Sequence, residues 1–255
     1  MIALDKVTFS YAQRAYVFDS FSWQVNPGDS WAVLGTSGCG KTTLFYLLAG
    51  LRLPTKGEIR VAGEPLRKPR PKTGLILQDY GLLPWATVKE NVTLGLRIRE
   101  FYGPDGTHAP SDEEIAEIDQ ESEAWMQRLG ILDLAGQYPQ QVSGGQRQRT
   151  AIARTLAMHP DLLLMDEPFA SLDAPTREHL QQFILEMRRS QQITNVIVTH
   201  SIEEAAVMGE RVLILPGIPN RQATVVENLG AGTPEYNRSE AYFNTVRRLR
   251  KELKL

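Results

Sequence analysis

Residues 35–43 read GTSGCGKTT, with the apolar run WAVL directly before them and LFYLLAGL directly after. The first run is short and apolar, which predicts a buried strand. The second predicts a helix from 41 to about 51, stopped by PTKG. Between them stand Gly35, Gly38 and Gly40, and Lys41 and Thr42 open the helix. Glycines at the seam of a strand and a helix predict backbone that must approach a ligand closely, where a Cβ would intrude.

The spacing of Gly35, Gly40, Lys41 and Thr42 fits G-x-x-x-x-G-K-[ST], in the strand–loop–helix context that this phosphate-binding motif requires. The loop's N–H groups can close around a triphosphate, and the helix adds its unsatisfied N–H groups and the positive end of its dipole. Lys41 is expected to supply charge to the β- and γ-phosphates, and the Thr42 hydroxyl to ligate Mg²⁺. Ser37, Gly38, Cys39 and Thr43 complete the expected nucleotide-contacting stretch. Cys39 has no His or Asp partner by spacing, so it is not read as catalytic. The helix dipole is expected to favour its thiolate, and alkylation to block nucleotide binding.

Outward from this loop, IALDKVTFSY and YVFDSFSWQV alternate and read as two strands joined by a turn; EIRVAG and TGLILQ read as two more. From Trp85 to Met158 the pattern becomes helical. The stretch 101–110 is rich in Gly and Pro and reads as a loop, after which SDEE offers Ser111 or Asp112 as a helix N-cap. Strand and helix then alternate through DLLLMDEP, APTREHLQQFILEMRRS, TNVIVTH, SIEEAAVMG and RVLILPG, and a basic amphipathic helix closes the chain. Apolar strands alternating with helices predict a parallel sheet covered on both faces.

Two further stretches carry chemistry. LLLMDEP ends an apolar strand with Asp166, expected on the Mg²⁺ side, and Glu167, expected to polarise a water. TNVIVTHS ends another with His200, in reach of a γ-phosphate if the two strands neighbour each other. The 255 residues are 42% hydrophobic and 23% charged, with 28 Lys and Arg against 30 Asp and Glu, so no basic excess points to nucleic acid. One cysteine cannot close an internal disulfide, which fits a reducing compartment. The start, MIALDKVTFSY, has neither a basic nor an apolar leader region, and no apolar run is long enough to span a bilayer. Association with a membrane is therefore expected from outside the lipid.

VSGGQRQR at 142–149, together with the glycine loop, MDEP, ASLD and TH, resembles the ATP-binding subunits of ABC transporters, in order and spacing over nearly the whole chain. The resemblance implies an α/β fold: a P-loop NTPase (RecA-like) core, an N-terminal antiparallel β-subdomain and an inserted α-helical subdomain. The implied boundaries are 1–84 and 159–225 for the core and β-subdomain, 85–158 for the helical subdomain and 226–255 for the tail. Tyr11 looks like the aromatic that stacks on adenine, and Gln78 like the glutamine that meets Mg²⁺ and the attacking water. Glu167 looks like the general base and His200 like the switch histidine. Ser143, Gly144, Gly145 and Gln146 look like the signature loop, and Asp173 like the loop that speaks across a dimer.

The same resemblance implies ATP and Mg²⁺ as ligands and a head-to-tail homodimer, or a pair with a second ATP-binding subunit, in which each ATP lies between one glycine loop and the other chain's signature. A polytopic membrane permease and a periplasmic or lipid-anchored substrate-binding protein complete the implied complex, on the cytoplasmic face of the membrane. LQDYGLLPWATVKENV resembles the importers of nitrate, taurine and aliphatic sulfonates, with pyrimidine-precursor importers close by. Leu82, Leu83 and Trp85 are candidate permease contacts. Val142 stands where leucine is usual and Ser201 where aspartate is usual, and 99–122 looks longer than in relatives. No regulatory domain is expected after LILPG. An exporter or lipid-extraction ATPase, and a soluble ATPase of a cofactor-assembly scaffold, are the alternatives.

Overall fold

The computed structural model describes residues 1–12, 15–102, 115–222, 224–233 and 235–253, the side chains of 102 and 115–117 excepted. Most of the loop expected at 101–110, and the cap expected at Ser111 or Asp112, lie outside the described residues. In chain order the strands and helices are β1 (Ile2–Phe9), β2 (Phe18–Val25), β3 (Ser30–Leu34), α1 (Lys41–Leu48), β4 (Lys56–Val61), β5 (Glu64–Pro65), β6 (Thr73–Ile76), α2 (Val88–Tyr102), α3 (Ile115–Arg128), α4 (Gly144–Leu156), β7 (Leu162–Asp166), α5 (Ala174–Gln191), β8 (Thr194–Thr199), α6 (Ile202–Met208), β9 (Arg211–Ile214), β10 (Thr224–Glu227) and α7 (Glu240–Glu252). Residues 1–70, 162–167 and 181–255 form one unit; 71–161 and 168–180 form a second.

The first unit holds two sheets. One is antiparallel in the order β2-β1-β4-β5, with Ile2 opposite Val25 on one side and Val61 on the other. Alternation along β2 buries Phe18, Phe21, Trp23 and Val25, as a half-buried strand demands. The other sheet runs β10-β9-β3-β8-β7. Here β3 lies parallel to both β8 and β9, β7 lies parallel to β8, and β10 is antiparallel to β9. Every residue of β3, β7 and β8 is buried, which is why their centres read as apolar runs, with the polar Ser30, Asp166, Thr194, Asn195 and Thr199 toward the strand ends. The chain passes from the end of β3 directly into the glycine loop, and α1 begins at Lys41. The helix stops at Leu48, because Gly50 has φ +70 and a Cβ there would meet the Lys68 carbonyl oxygen at 2.6 Å. Ser201, the residue expected to depart from the family pattern, caps α6 by accepting the Glu204 N–H at 3.2 Å. The basic tail helix α7 is docked: it buries Val246 and Leu249, and Arg250 pairs with Glu203 of α6 at 3.1 Å.

In the second unit α2, α3 and α4 pack through Val88, Val92, Trp125, Met126, Ala151 and Ile152, all buried. Asn91 is wholly buried and organises the turn before α2. Its amide donates to the carbonyls of Leu83, Ala86 and Thr87 at 3.0–3.1 Å and accepts the Leu83 N–H at 2.8 Å. That turn presents Trp85 at 73% exposure, with Leu82 and Leu83 partly covered. Val142 is buried, as an apolar residue opening the signature should be.

Candidate functional site

The glycine loop is held in a shape few side chains permit. Gly40, at the N-terminus of α1, has φ +105, and a Cβ there would stand 2.8 Å from Val17 Cγ1. Gly38 has φ +78. At Gly35 a Cβ would meet Cys39 Sγ at 2.5 Å and the Leu215 carbonyl oxygen at 2.9 Å. The Lys41 ammonium, nearly buried, donates to the carbonyls of Gly35 at 2.8 Å and Thr36 at 3.1 Å, so the cation is held across the loop it is expected to charge.

In front of the loop lies a cleft of about 270 Å³. Its lining is polar at Ser37, Lys41, Thr42, Thr43 and Glu167, with Gly38 and Gly40 among them, and apolar at Tyr11, Val17 and Ile218. The Tyr11 hydroxyl lies 3.2 Å from Thr43 Oγ1, and its ring meets Phe9 edge-on at 5.1 Å between centroids. An amphipathic ligand with a polyanionic end and a flat apolar end matches this division.

The carboxylates arrive on β7. Asp166, its last residue, is buried, and its pKa is raised to about 6, first by desolvation, then by the neighbouring Glu167 charge, with Lys41 opposing. Glu167 takes φ +46, a left-handed conformation rare for a side chain with a Cβ, while its N–H donates to the Val198 carbonyl at 2.8 Å. That turn brings Glu167 Oε1 within 3.0 Å of His200 Nδ1, beyond the end of β8. Thr42 and Asp166 offer hard oxygen donors, and one carboxylate with one hydroxyl leaves room for phosphate oxygens and waters, the coordination Mg²⁺ prefers. A cation near Asp166 would also favour the ionised form that burial penalises. The residues present therefore fit Mg²⁺.

The expectation for Cys39 is overturned. The thiol is 3% exposed, and burial pushes its pKa up, outweighing the Lys41 charge and the backbone N–H groups that act the other way. Neither Cys39 nor Gly35 lines the cleft. Asn220 was not foreseen at all: it is wholly buried, and its amide donates to the Cys39 carbonyl at 2.7 Å and the Val17 carbonyl at 3.0 Å.

Gln78, Ser143, Gly144, Gly145, Gln146 and Asp173 belong to the second unit. Gln78 is exposed just beyond β6. Ser143 and Gln146 form a reciprocal capping box at the start of α4: Ser143 Oγ accepts the Gln146 N–H at 3.3 Å, and Gln146 Oε1 accepts the Ser143 N–H at 2.8 Å. Asp173 accepts the Thr176 N–H at 3.1 Å, a bond that lowers its pKa. Tyr80, two residues after Gln78, ties these loops together. Its hydroxyl lies 2.6 Å from Ser171 Oγ, Arg147 of α4 sits over its ring at 5.6 Å, and Arg154 donates to its carbonyl at 2.8 Å.

Comparison with known proteins agrees with this geometry. Residues 18–170 match the family model described as ABC transporter. The chain is 38% identical over 224 residues to an ABC transporter ATP-binding protein of Methanocaldococcus jannaschii, covering 88% of this chain and 79% of that one. It is 36% identical over 230 residues to an aliphatic sulfonates import ATP-binding protein of Bacillus cereus, covering 89% and 86% of the two. Its fold matches the dimeric post-hydrolysis state of an ATP-binding cassette bound to ADP and Pi with a TM-score of 0.76 at 27% identity, over 89% of this chain and 98% of the other. With a phosphate-shaped glycine loop, strand-end carboxylates and relatives matched over most of their length, the chain belongs to the ABC transporter family, as an ATP-binding cassette.

Proposed function

We propose that this ABC-type ATPase is the motor of an importer. Two copies, or one copy and a second ATP-binding subunit, would close on ATP beneath a polytopic permease fed by an external substrate-binding protein. The observation that carries the catalytic part is the cleft itself: Lys41, Thr42 and Glu167 line it, and His200 sits 3.0 Å from the Glu167 carboxylate. Import, and a small anion as cargo, are supported by the Bacillus cereus relative named as an aliphatic sulfonates import ATP-binding protein and by the LLPW stretch at 82–85. Nitrate, taurine and pyrimidine precursors are the other cargoes to test. No described helix is long and apolar enough to cross a membrane; in this reading the subunit sits peripherally on the cytoplasmic face.

In this reading Tyr11 stacks on adenine, while the N–H groups of 35–43 and the Lys41 ammonium hold the phosphates. Thr42 and Asp166 would hold Mg²⁺, which would supply charge neutralisation to the phosphates. Glu167 accepts a proton from the attacking water, and His200 orients that carboxylate and contacts the γ-phosphate. Ser143, Gly144, Gly145 and Gln146 of the second copy present the start of its α4 to the same phosphate, a second anion site that a single chain cannot bring to one nucleotide. Asp173 lies at the contact between copies.

The test is recovery of partners. Tagged Glu167→Gln protein, purified from detergent-solubilised membranes with and without MgATP, is expected to bring down a polytopic membrane protein in matching amount. The associated binding protein would then be screened with sulfonates, nitrate and pyrimidines. Recovery only from the soluble fraction, with a scaffold or ribosome attached, would overturn transport.

A further inference from the structure

We propose that the 217–220 loop is part of the nucleotide site, with Ile218 forming a second wall for the base and Asn220 fastening that wall to the glycine loop. The inference deepens the ATP reading above and rests on it. After β9 the Leu215 N–H donates to the Leu34 carbonyl at 2.9 Å, which keeps the chain beside the end of β3. The loop then bends back through Gly217, whose φ is +134.

Asn220 anchors its far end. The side-chain amide donates to Val17 and Cys39 carbonyls, the backbone N–H donates to the Val17 carbonyl at 2.9 Å, and the Asn220 carbonyl accepts the Asp19 N–H at 3.0 Å. Arg221 pairs with Asp19 at 2.8 Å. One residue thereby joins the segment entering β2 to the carbonyl immediately before Gly40. Its amide nitrogen would stand 3.2 Å from a Cβ at that glycine. Both donors of the amide are used on these two carbonyls, so the loop's place is over-determined.

Ile218 is what this fastening displays. It is 51% exposed, in a loop whose next anchor is fully buried, and it lines the same cleft as Tyr11 and Val17. A single exposed isoleucine is ordinary. One held in the cleft of the glycine loop, where Tyr11 and Val17 supply the other apolar lining, has a flat, apolar partner of the right chemistry, a purine base. Ile218 would set the affinity for the base; Asn220 would act on base and phosphates alike, because it positions both walls.

The test is calorimetric titration of the full chain with MgATP and with Mg²⁺-tripolyphosphate, for the wild type, Ile218→Ser and Asn220→Ala. Ile218→Ser is expected to bind ATP about fivefold more weakly, the loss of roughly half an isoleucine's burial, with tripolyphosphate unchanged. Asn220→Ala is expected to weaken both ligands. Unchanged ATP affinity in Ile218→Ser, or equal losses for ATP and tripolyphosphate, would overturn the inference while leaving the ATP site in place. Failure of the wild type to bind ATP would instead overturn the reading of the cleft.

Discussion

Glu167 is held in the left-handed region at φ +46, and the cost of that conformation can be separated from the value of its carboxylate. Replacing it with Ala and with Gly removes the carboxylate, its contact with His200 and its repulsion of Asp166 equally in both variants. What differs is the Cβ. A residue with a Cβ pays about 1–2 kcal/mol to sit in this region, and glycine does not. Glycine loses about 0.4–1 kcal/mol more backbone freedom on folding than alanine. The difference predicts that Glu167→Gly is more stable than Glu167→Ala by about 1 kcal/mol, reversing the usual order of the two residues. For a chain of this size that corresponds to about 2–4 °C in Tm, read by urea and thermal unfolding of the nucleotide-free protein. Alanine equal to or more stable than glycine would refute the reasoning, and with it the view that the carboxylate is placed by strained backbone.

Asp166 has a folded-state pKa raised to about 6 from 3.8, so the native state binds more protons than the unfolded chain between those values. Its contribution is therefore lost as pH rises from about 4 to about 6, by at most about 3 kcal/mol, and in chelator Asp166→Asn should remove that fall and be the more stable protein at neutral pH. Cys39, buried with a raised pKa, should react with iodoacetamide only after denaturation; rapid stoichiometric labelling of the native chain would contradict its placement. Tyr80→Phe and Ser171→Ala should lower ATP turnover non-additively in a double-mutant cycle, with a coupling of about 1 kcal/mol, and additive effects would show that their 2.6 Å contact carries nothing.

The glycine loop was legible because its glycines mark backbone that side chains rarely allow, and Gly38 and Gly40 have φ +78 and +105. The parallel strands were legible because burial on both faces leaves their centres apolar, with polar residues only toward the ends. Other features depended on partners far away in sequence. β10 was missed because a sheet edge leaves three of its four residues exposed, so TVVE shows no strong pattern. β5 is two residues long and shows only as a partner of β4. Helix α1 was read three residues too long, since Leu51 is apolar while the stop lies in Gly50 and its contact with Lys68. Cys39 was judged from the helix dipole alone, and burial proved the larger effect. Asn220 carries no local signal, because an asparagine after Pro reads as a turn and its partners Val17 and Cys39 lie 203 and 181 residues away.

The central claim is that this chain binds ATP at the glycine loop and hydrolyses it through Glu167. The most direct measurement is phosphate release by the wild type and Glu167→Gln, with bound ATP and oligomeric state recorded on the same samples. The account predicts that Glu167→Gln binds ATP as the wild type does, forms an ATP-dependent dimer and turns over at least about 100-fold more slowly. Wild-type turnover in Glu167→Gln, with ATP bound, would contradict it.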